Sequence, residues 1–307
     1  MAPESTQVKR TQEIEEITNL YFIHPISRAL VTVFHKMGLH PNAVSIGGIV
    51  FGILAAWAYS QFQQWEMALA GFLFMVGWHI MDGADGQLAR LSGKTSEFGK
   101  VLDGLVDHLS FALVYVSLTV ASAAIFGGWV WWLAVAAGVS HLVQASTYEF
   151  QRQSYDYWVF GKDASRPVMP DEFRESMNGQ SGLKRFFAQL QLAYLNMQYR
   201  MAGVNLELMA SLSSLKSEGQ ASEMAEAYRA ANLKAVKTWS ILCSNYRTLA
   251  IFVACLAKNP LYFFLFEAGL LNVALVGLRM MQARRNKSLL AWAASEPAAR
   301  ADVLAAA

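Results

Sequence analysis

Four aspartates set the chemical possibilities of this chain. Between residues 82 and 107 it reads Asp82-x2-Asp85-Gly86-x2-Ala89-Arg90-x8-Gly99-x3-Asp103-x3-Asp107. Asp82 and Asp85 are three apart, and Asp103 and Asp107 four apart, so each pair shares one face of its own helix. Carboxylates in apolar surroundings are costly and mark a functional site or an ion. Four that converge repel one another unless cations sit between them. Oxygen ligands with no His or Cys at matching spacing favour Mg²⁺, with Mn²⁺ or Ca²⁺ as the neighbouring choices, over zinc. Two such ions, about 3.5–4 Å apart, neutralise phosphate oxygens in the ground and transition states. Gly86 removes a side chain where a ligand could approach the helix backbone. Arg90 offers a guanidinium fork for phosphate.

The elements that must carry these residues are membrane helices. The chain has 307 residues, 54% of them hydrophobic and only 16% charged, with nine Trp and eighteen Phe. Charge that sparse is foreign to soluble domains. A net charge of +2 gives no footing for nucleic acid. Cys243 and Cys255 lie in one late apolar stretch, too far apart along a helix for a disulfide, and read as packing residues. Residues 1–17 are polar and mixed in charge, so no cleavable signal is expected there. Residues 18–42 set Tyr21, Phe22, Ile26, Leu30, Val33, Phe34 and Met37 on an apolar side, as in a helix lying in the membrane interface.

Six apolar segments follow, near 43–60, 66–84, 101–126, 128–147, 241–258 and 261–280, each about long enough to cross a hydrocarbon core of about 30 Å. Gly48 and Gly52 form a small-xxx-small pair on the first, suited to close approach of another helix. Lys9, Arg10, Arg28, Lys36, Arg90, Lys94, Lys100, Arg284, Arg285 and Lys287 lie on one side of these spans, and only Lys258 on the other. The positive-inside rule then makes both termini and the Asp-rich loop cytoplasmic.

The expected fold is an all-α integral membrane protein of six transmembrane helices. Its sections are a cytoplasmic N-terminus and interfacial amphipathic helix (1–42), spans one to four with the acid motif (43–147), a cytoplasmic helical insert (148–237), spans five and six (238–283) and a cytoplasmic tail (284–307). Within the insert Leu183, Phe187, Leu190, Tyr194, Met197, Met201, Val204, Leu208 and Leu215 recur at near-heptad steps until Gly219. They predict a helical hairpin, with a second helix from about Ala221 leading into the fifth span.

The eight fixed residues of the motif match, without departure in identity or spacing, the signature of the CDP-alcohol phosphotransferases, also called CDP-alcohol phosphatidyltransferases. The chain resembles that family chiefly over residues 18–147. The resemblance implies a phospholipid-synthesising enzyme of the inner membrane, a homodimer, with two Mg²⁺ (or Mn²⁺) ions per site. It implies Asp82, Asp85 and Asp103 as metal ligands, with Asp107 beside the metals as general base. Gly86, Ala89 and Arg90 would bind the CDP-linked donor. An acceptor hydroxyl would attack the β-phosphorus and CMP would leave. The expected donor is CDP-diacylglycerol with an alcohol acceptor; the alternative with the same motif is a soluble CDP-headgroup such as CDP-inositol with a lipid hydroxyl acceptor. Arg247, inside an apolar segment, and Arg152 are further candidates for substrate phosphate, with snorkelling as the alternative. Glu267 and Asn272 read as interhelical contacts. A cation or solute transporter using the same acids is the competing class; it would put them near the bilayer midplane and leave Gly86 and Arg90 without a role.

Overall fold

The computed structural model describes residues 11–94, 97–295 and 300, and leaves the side chains at 97, 98, 100–103 and 105 outside that description. Every regular element among the described residues is helical. In chain order the α-helices are α1 (His24–Lys36), α2 (Pro41–Tyr59), α3 (Trp65–Ser92), α4 (Glu97–Phe126), α5 (Val130–Phe160), α6 (Pro170–Ser176), α7 (Gly182–Ala202), α8 (Leu206–Ser217), α9 (Ala221–Trp239), α10 (Ser244–Leu256), α11 (Leu261–Leu265) and α12 (Leu271–Ala294). Single π-helical turns precede α1 (Asn19–Ile23) and α12 (Phe266–Leu270). This is an all-α integral membrane protein.

Among the described residues five stretches are long and apolar enough to cross a membrane: Pro41–Tyr59, Trp65–Ser92, Val106–Phe126, Ala221–Leu256 and Leu261–Ala294. The expected fourth span, 128–147, falls in the first part of α5 and is not among them. Ser140, His141, Gln144, Ser146 and Thr147 interrupt its apolar run. These groups find partners inside the protein: Tyr115 Oη and His141 Nδ1 lie 3.0 Å apart, and Gln144 Nε2 donates to Asn272 Oδ1 at 2.9 Å. On α2 the outward residues Ile46, Val50, Ile53 and Trp57 are all more than half exposed at helical spacing, an apolar face suited to lipid. Trp57, Trp65, Trp129 and Trp132 are exposed around the α2–α3 and α4–α5 turns, as aromatic residues are at a membrane interface.

The chain divides into two compact units. The first comprises residues 1–141 and 243–271 and holds the acid motif. In lipid, apolar burial does not by itself drive helices together, so close contact has to. Glycines provide it. A Cβ at Gly52 would stand 2.7 Å from Ser110 Oγ of α4, one at Gly71 2.8 Å from the Tyr59 ring, and one at Gly77 2.7 Å from the Phe51 ring. Gly48 is buried against Trp78, Met81 and Val106. The small-xxx-small pair therefore serves packing of α2 on α3 and α4 within one chain. Trp78, Phe111, Tyr115 and Phe263 complete this core through edge-on ring contacts.

The second unit comprises residues 142–242 and 272–307. The heptad-like stripe does not form one continuous helix. It breaks at Gly203, whose φ of +66° caps α7, and Asn205 restarts the chain by accepting from the Leu208 N–H at 3.0 Å. A Cβ at Gly203 would also stand 3.6 Å from Arg279 Cγ, so the break fits the surface of α12. The insert is thus a short α6 and three longer helices in place of a hairpin.

Candidate active site

The acid motif occupies the last three turns of α3, a short connection and the first three turns of α4. α3 runs on to Ser92, eight residues beyond the expected end of its span, so Asp82, Asp85, Gly86, Ala89 and Arg90 all sit within regular helix. Gly93 ends α3 in the left-handed conformation (φ +66°), which frees the chain to turn into α4. Both halves of the motif therefore lie at the same end of the first unit, away from the exposed Trp57 and Trp65.

Two helices hold the end of α3. Ser27 of α1 sits on Gly83, where a Cβ would stand 2.7 Å from its Oγ, and that hydroxyl donates to the Ile80 carbonyl at 2.8 Å. Val31 of α1, Val44 of α2 and Ala84 and Leu88 of α3 close an apolar cluster behind the motif. The segment 18–42 thus has two apolar sides, one seated on α3 and one, with Tyr21, Phe22, Val33 and Met37, exposed.

Asp85 is buried at 5% exposure and accepts a 2.5 Å hydrogen bond from Ser45 Oγ of α2. Asp82 and Asp107 are partly buried. The Asp103 side chain falls outside the described residues, and among those described no three carboxylate, imidazole or thiol groups are gathered as a metal set. The donor chemistry nevertheless suits a hard divalent cation: carboxylate oxygens flanked by a hydroxyl, with the nearest α3 imidazole, His79, occupied by Thr248 Oγ1 at 2.9 Å. Arg90 lies back along its own helix. Its Nη1 is 3.4 Å from where a Cβ on Gly86 would be, so the guanidinium lies over the bare backbone at 86. His108, next to Asp107, is exposed and bonds the Gly104 carbonyl through Nδ1 at 2.6 Å.

Of the two outlying arginines, Arg247 is fully buried and its Nε lies 3.0 Å from Glu267 Oε1 in the π-helical turn. Arg152 belongs to the second unit and forks onto Glu149 at 2.9 and 2.7 Å. Glu267 and Asn272 make the interhelical contacts expected of them. Ser45 is the site residue that sequence reasoning missed. A lone hydroxyl one turn into an apolar helix that starts at Pro41 was the available signal.

Residues 38–162 match the family described as CDP-alcohol phosphatidyltransferase. The match begins past α1 and runs through α5, enclosing the whole motif. The chain is 35% identical over 97 residues to the archaetidylinositol phosphate synthase of Pyrococcus horikoshii, covering 32% of this chain and 46% of that protein. It is 30% identical over 126 residues to the phosphatidylinositol phosphate synthase of Mycobacteroides abscessus, covering 39% and 49%. It is 31% identical over 127 residues to the inner membrane protein YnjF of Escherichia coli, covering 40% and 59%. The chain spans about half the length of the curated relatives it matches. With the motif intact at the joined ends of two packed membrane helices, residues 38–162 are similar throughout to the CDP-alcohol phosphatidyltransferases.

Proposed function

We propose that this protein is a divalent-cation-dependent transferase of phospholipid synthesis. It moves the phosphatidyl group of CDP-diacylglycerol onto an alcohol and releases CMP. The acceptor oxygen forms a bond to the β-phosphorus, the bond from that phosphorus to the CMP oxygen breaks, and the hydroxyl proton passes to Asp107. Asp82, Asp85 and Asp103, with Asp107 beside them, would hold two Mg²⁺ or Mn²⁺ ions. When bound, these ions neutralise the diphosphate and stabilise the leaving oxygen. Ser45 fixes the Asp85 carboxylate from behind, as outer partners of metal ligands do. Arg90, laid over Gly86, presents its fork to the diphosphate.

The observation that carries this reading is the unbroken eight-residue pattern spread over the joined ends of α3 and α4 inside the matched segment. Acids at a helix end also favour an enzyme at the membrane surface over a transporter with a midplane site. We take α5 as a sixth span and place the motif and both termini on the cytoplasmic side, from the Lys and Arg bias. The names of two relatives make phosphorylated inositols the first acceptors to try.

The test is release of cytidine-labelled CMP by purified protein from a panel of CDP-linked donors and alcohols. Release from CDP-diacylglycerol that depends on an alcohol supports the proposal. Release only from a soluble CDP-headgroup in the presence of diacylated lipid would reverse the donor assignment.

A further inference from the structure

The first half of α7 carries an apolar face that its own unit leaves uncovered. Leu183, Phe186, Phe187 and Leu190 fall at i, i+3, i+4 and i+7, one side of a helix, and each is more than half exposed. Ala188, Leu195 and Tyr199, roughly opposite, are buried against the rest of the unit. This helix therefore has two apolar sides, one for protein and one for something else.

Charge and position say what that is. Among its 21 residues α7 has Lys184, Arg185 and Arg200 and no acidic residue. Lys184 and Arg185 are exposed, Lys184 one step round from Phe187 and Arg185 on the side away from the stripe. The far end of α7 is held at points where two helices pass from apolar to polar sequence. Gln198 Nε2 donates to the Ser146 carbonyl at 2.9 Å, and Gln151 Nε2 to the Ala202 carbonyl at 3.1 Å, at the end of the apolar run of α5. Asn286 Nδ2 donates to the Gly203 carbonyl at 3.2 Å, and Arg279 flanks the same glycine. There the apolar part of α12 gives way to Arg284, Arg285 and Lys287. A helix tethered at that level starts out beside the headgroups.

We propose that the first half of α7 is an in-plane membrane anchor. It seats Leu183, Phe186, Phe187 and Leu190 in the acyl boundary, with Lys184 at the level of anionic lipid headgroups and Arg185 on the aqueous side adding to the attraction. A helix with an apolar stripe and cations on its other sides binds such a surface through buried area plus attraction to acidic lipid. The anchor is independent of the transfer chemistry and stands whether or not the donor assignment does.

Spin labels test it in the full-length protein. With Cys243→Ala and Cys255→Ala as background, single labels are placed through Phe187→Cys, Leu190→Cys and Gln189→Cys. Each protein is reconstituted into phosphatidylcholine vesicles with and without phosphatidylglycerol. At 187 and 190 the label should collide more with oxygen, which partitions into lipid, than with a water-soluble nickel chelate, and at 189 the order should reverse. Adding Lys184→Gln and Arg185→Gln should raise nickel access at 187 in the phosphatidylglycerol vesicles. Free access of nickel at 187 would overturn the proposal. So would shielding of 187 from both probes, which means a protein covers the face. An unchanged depth with and without phosphatidylglycerol would remove the anionic-lipid part.

Discussion

Asp85 is the most enclosed of the described motif carboxylates, and Ser45 is a hydrogen-bond partner that holds it. Ser45→Ala should therefore weaken the metal requirement's apparent affinity by about 10–100-fold, the range for outer partners of metal ligands, while Ser45→Thr keeps most of it. A Mg²⁺ titration of turnover reads the difference. Asp107 calls for a different separation. Asp107→Asn should cost about 10²–10⁴-fold in single-turnover rate, the usual loss for a general base, while calorimetry finds CDP-donor binding near normal. Loss of donor and metal binding together would make Asp107 chiefly a ligand. Arg90→Ala should weaken donor binding instead, since the diphosphate is present before the transition state. At this scale the sequence announced the acids by type and spacing. It hid Ser45, whose hydroxyl acquires a role only when α2 lies against α3.

The helices are tied by a few contacts that tolerate little change. Arg247 on α10 and Glu267 in the π-helical turn are both fully buried and 3.0 Å apart. Glu267→Leu leaves a buried cation without its carboxylate and should cost about 3–5 kcal/mol, whereas Arg247→Met with Glu267→Leu should recover most of that. Thermal unfolding of the three proteins in one detergent checks it. If the single and double variants are equally destabilised, the pair is not a unit. Gly52→Leu should likewise force α2 off Ser110 and lower both stability and turnover, because α2 carries Ser45. Spans other than the fourth were legible because apolar runs of about 20 residues admit few alternatives, whereas 128–147 carries polar groups that find partners inside the protein. The insert was less so: periodicity marked its apolar residues but not the left-handed turn at Gly203, and it could not tell which stripe residues face protein. Arg247 reads in the sequence as a phosphate contact or a snorkelling side chain, and its pairing with Glu267 depends on how α10 meets the turn before α12.

Across the whole molecule the account rests on which end of the bundle meets the nucleotide. The tryptophans around residues 57–65 and 129–132 mark one membrane interface, and the motif occupies the opposite end of the same helices. A cysteine introduced in 61–65 should label from outside intact cells, and one near Lys94 or in 170–220 should not. Labelling of 170–220 from outside would reverse the orientation and deny the site its cytoplasmic donor. The central claim is that the acid motif drives CMP release from a CDP-linked lipid with the help of bound cations. The direct measurement is cytidine-labelled CMP release from CDP-diacylglycerol by lipid-reconstituted protein, in chelator and then across a Mg²⁺ titration, with Asp82→Asn alongside. The account predicts no release in chelator, recovery with Mg²⁺ or Mn²⁺, and none from Asp82→Asn at any concentration tested. Undiminished release in chelator, or wild-type release from Asp82→Asn, would contradict it.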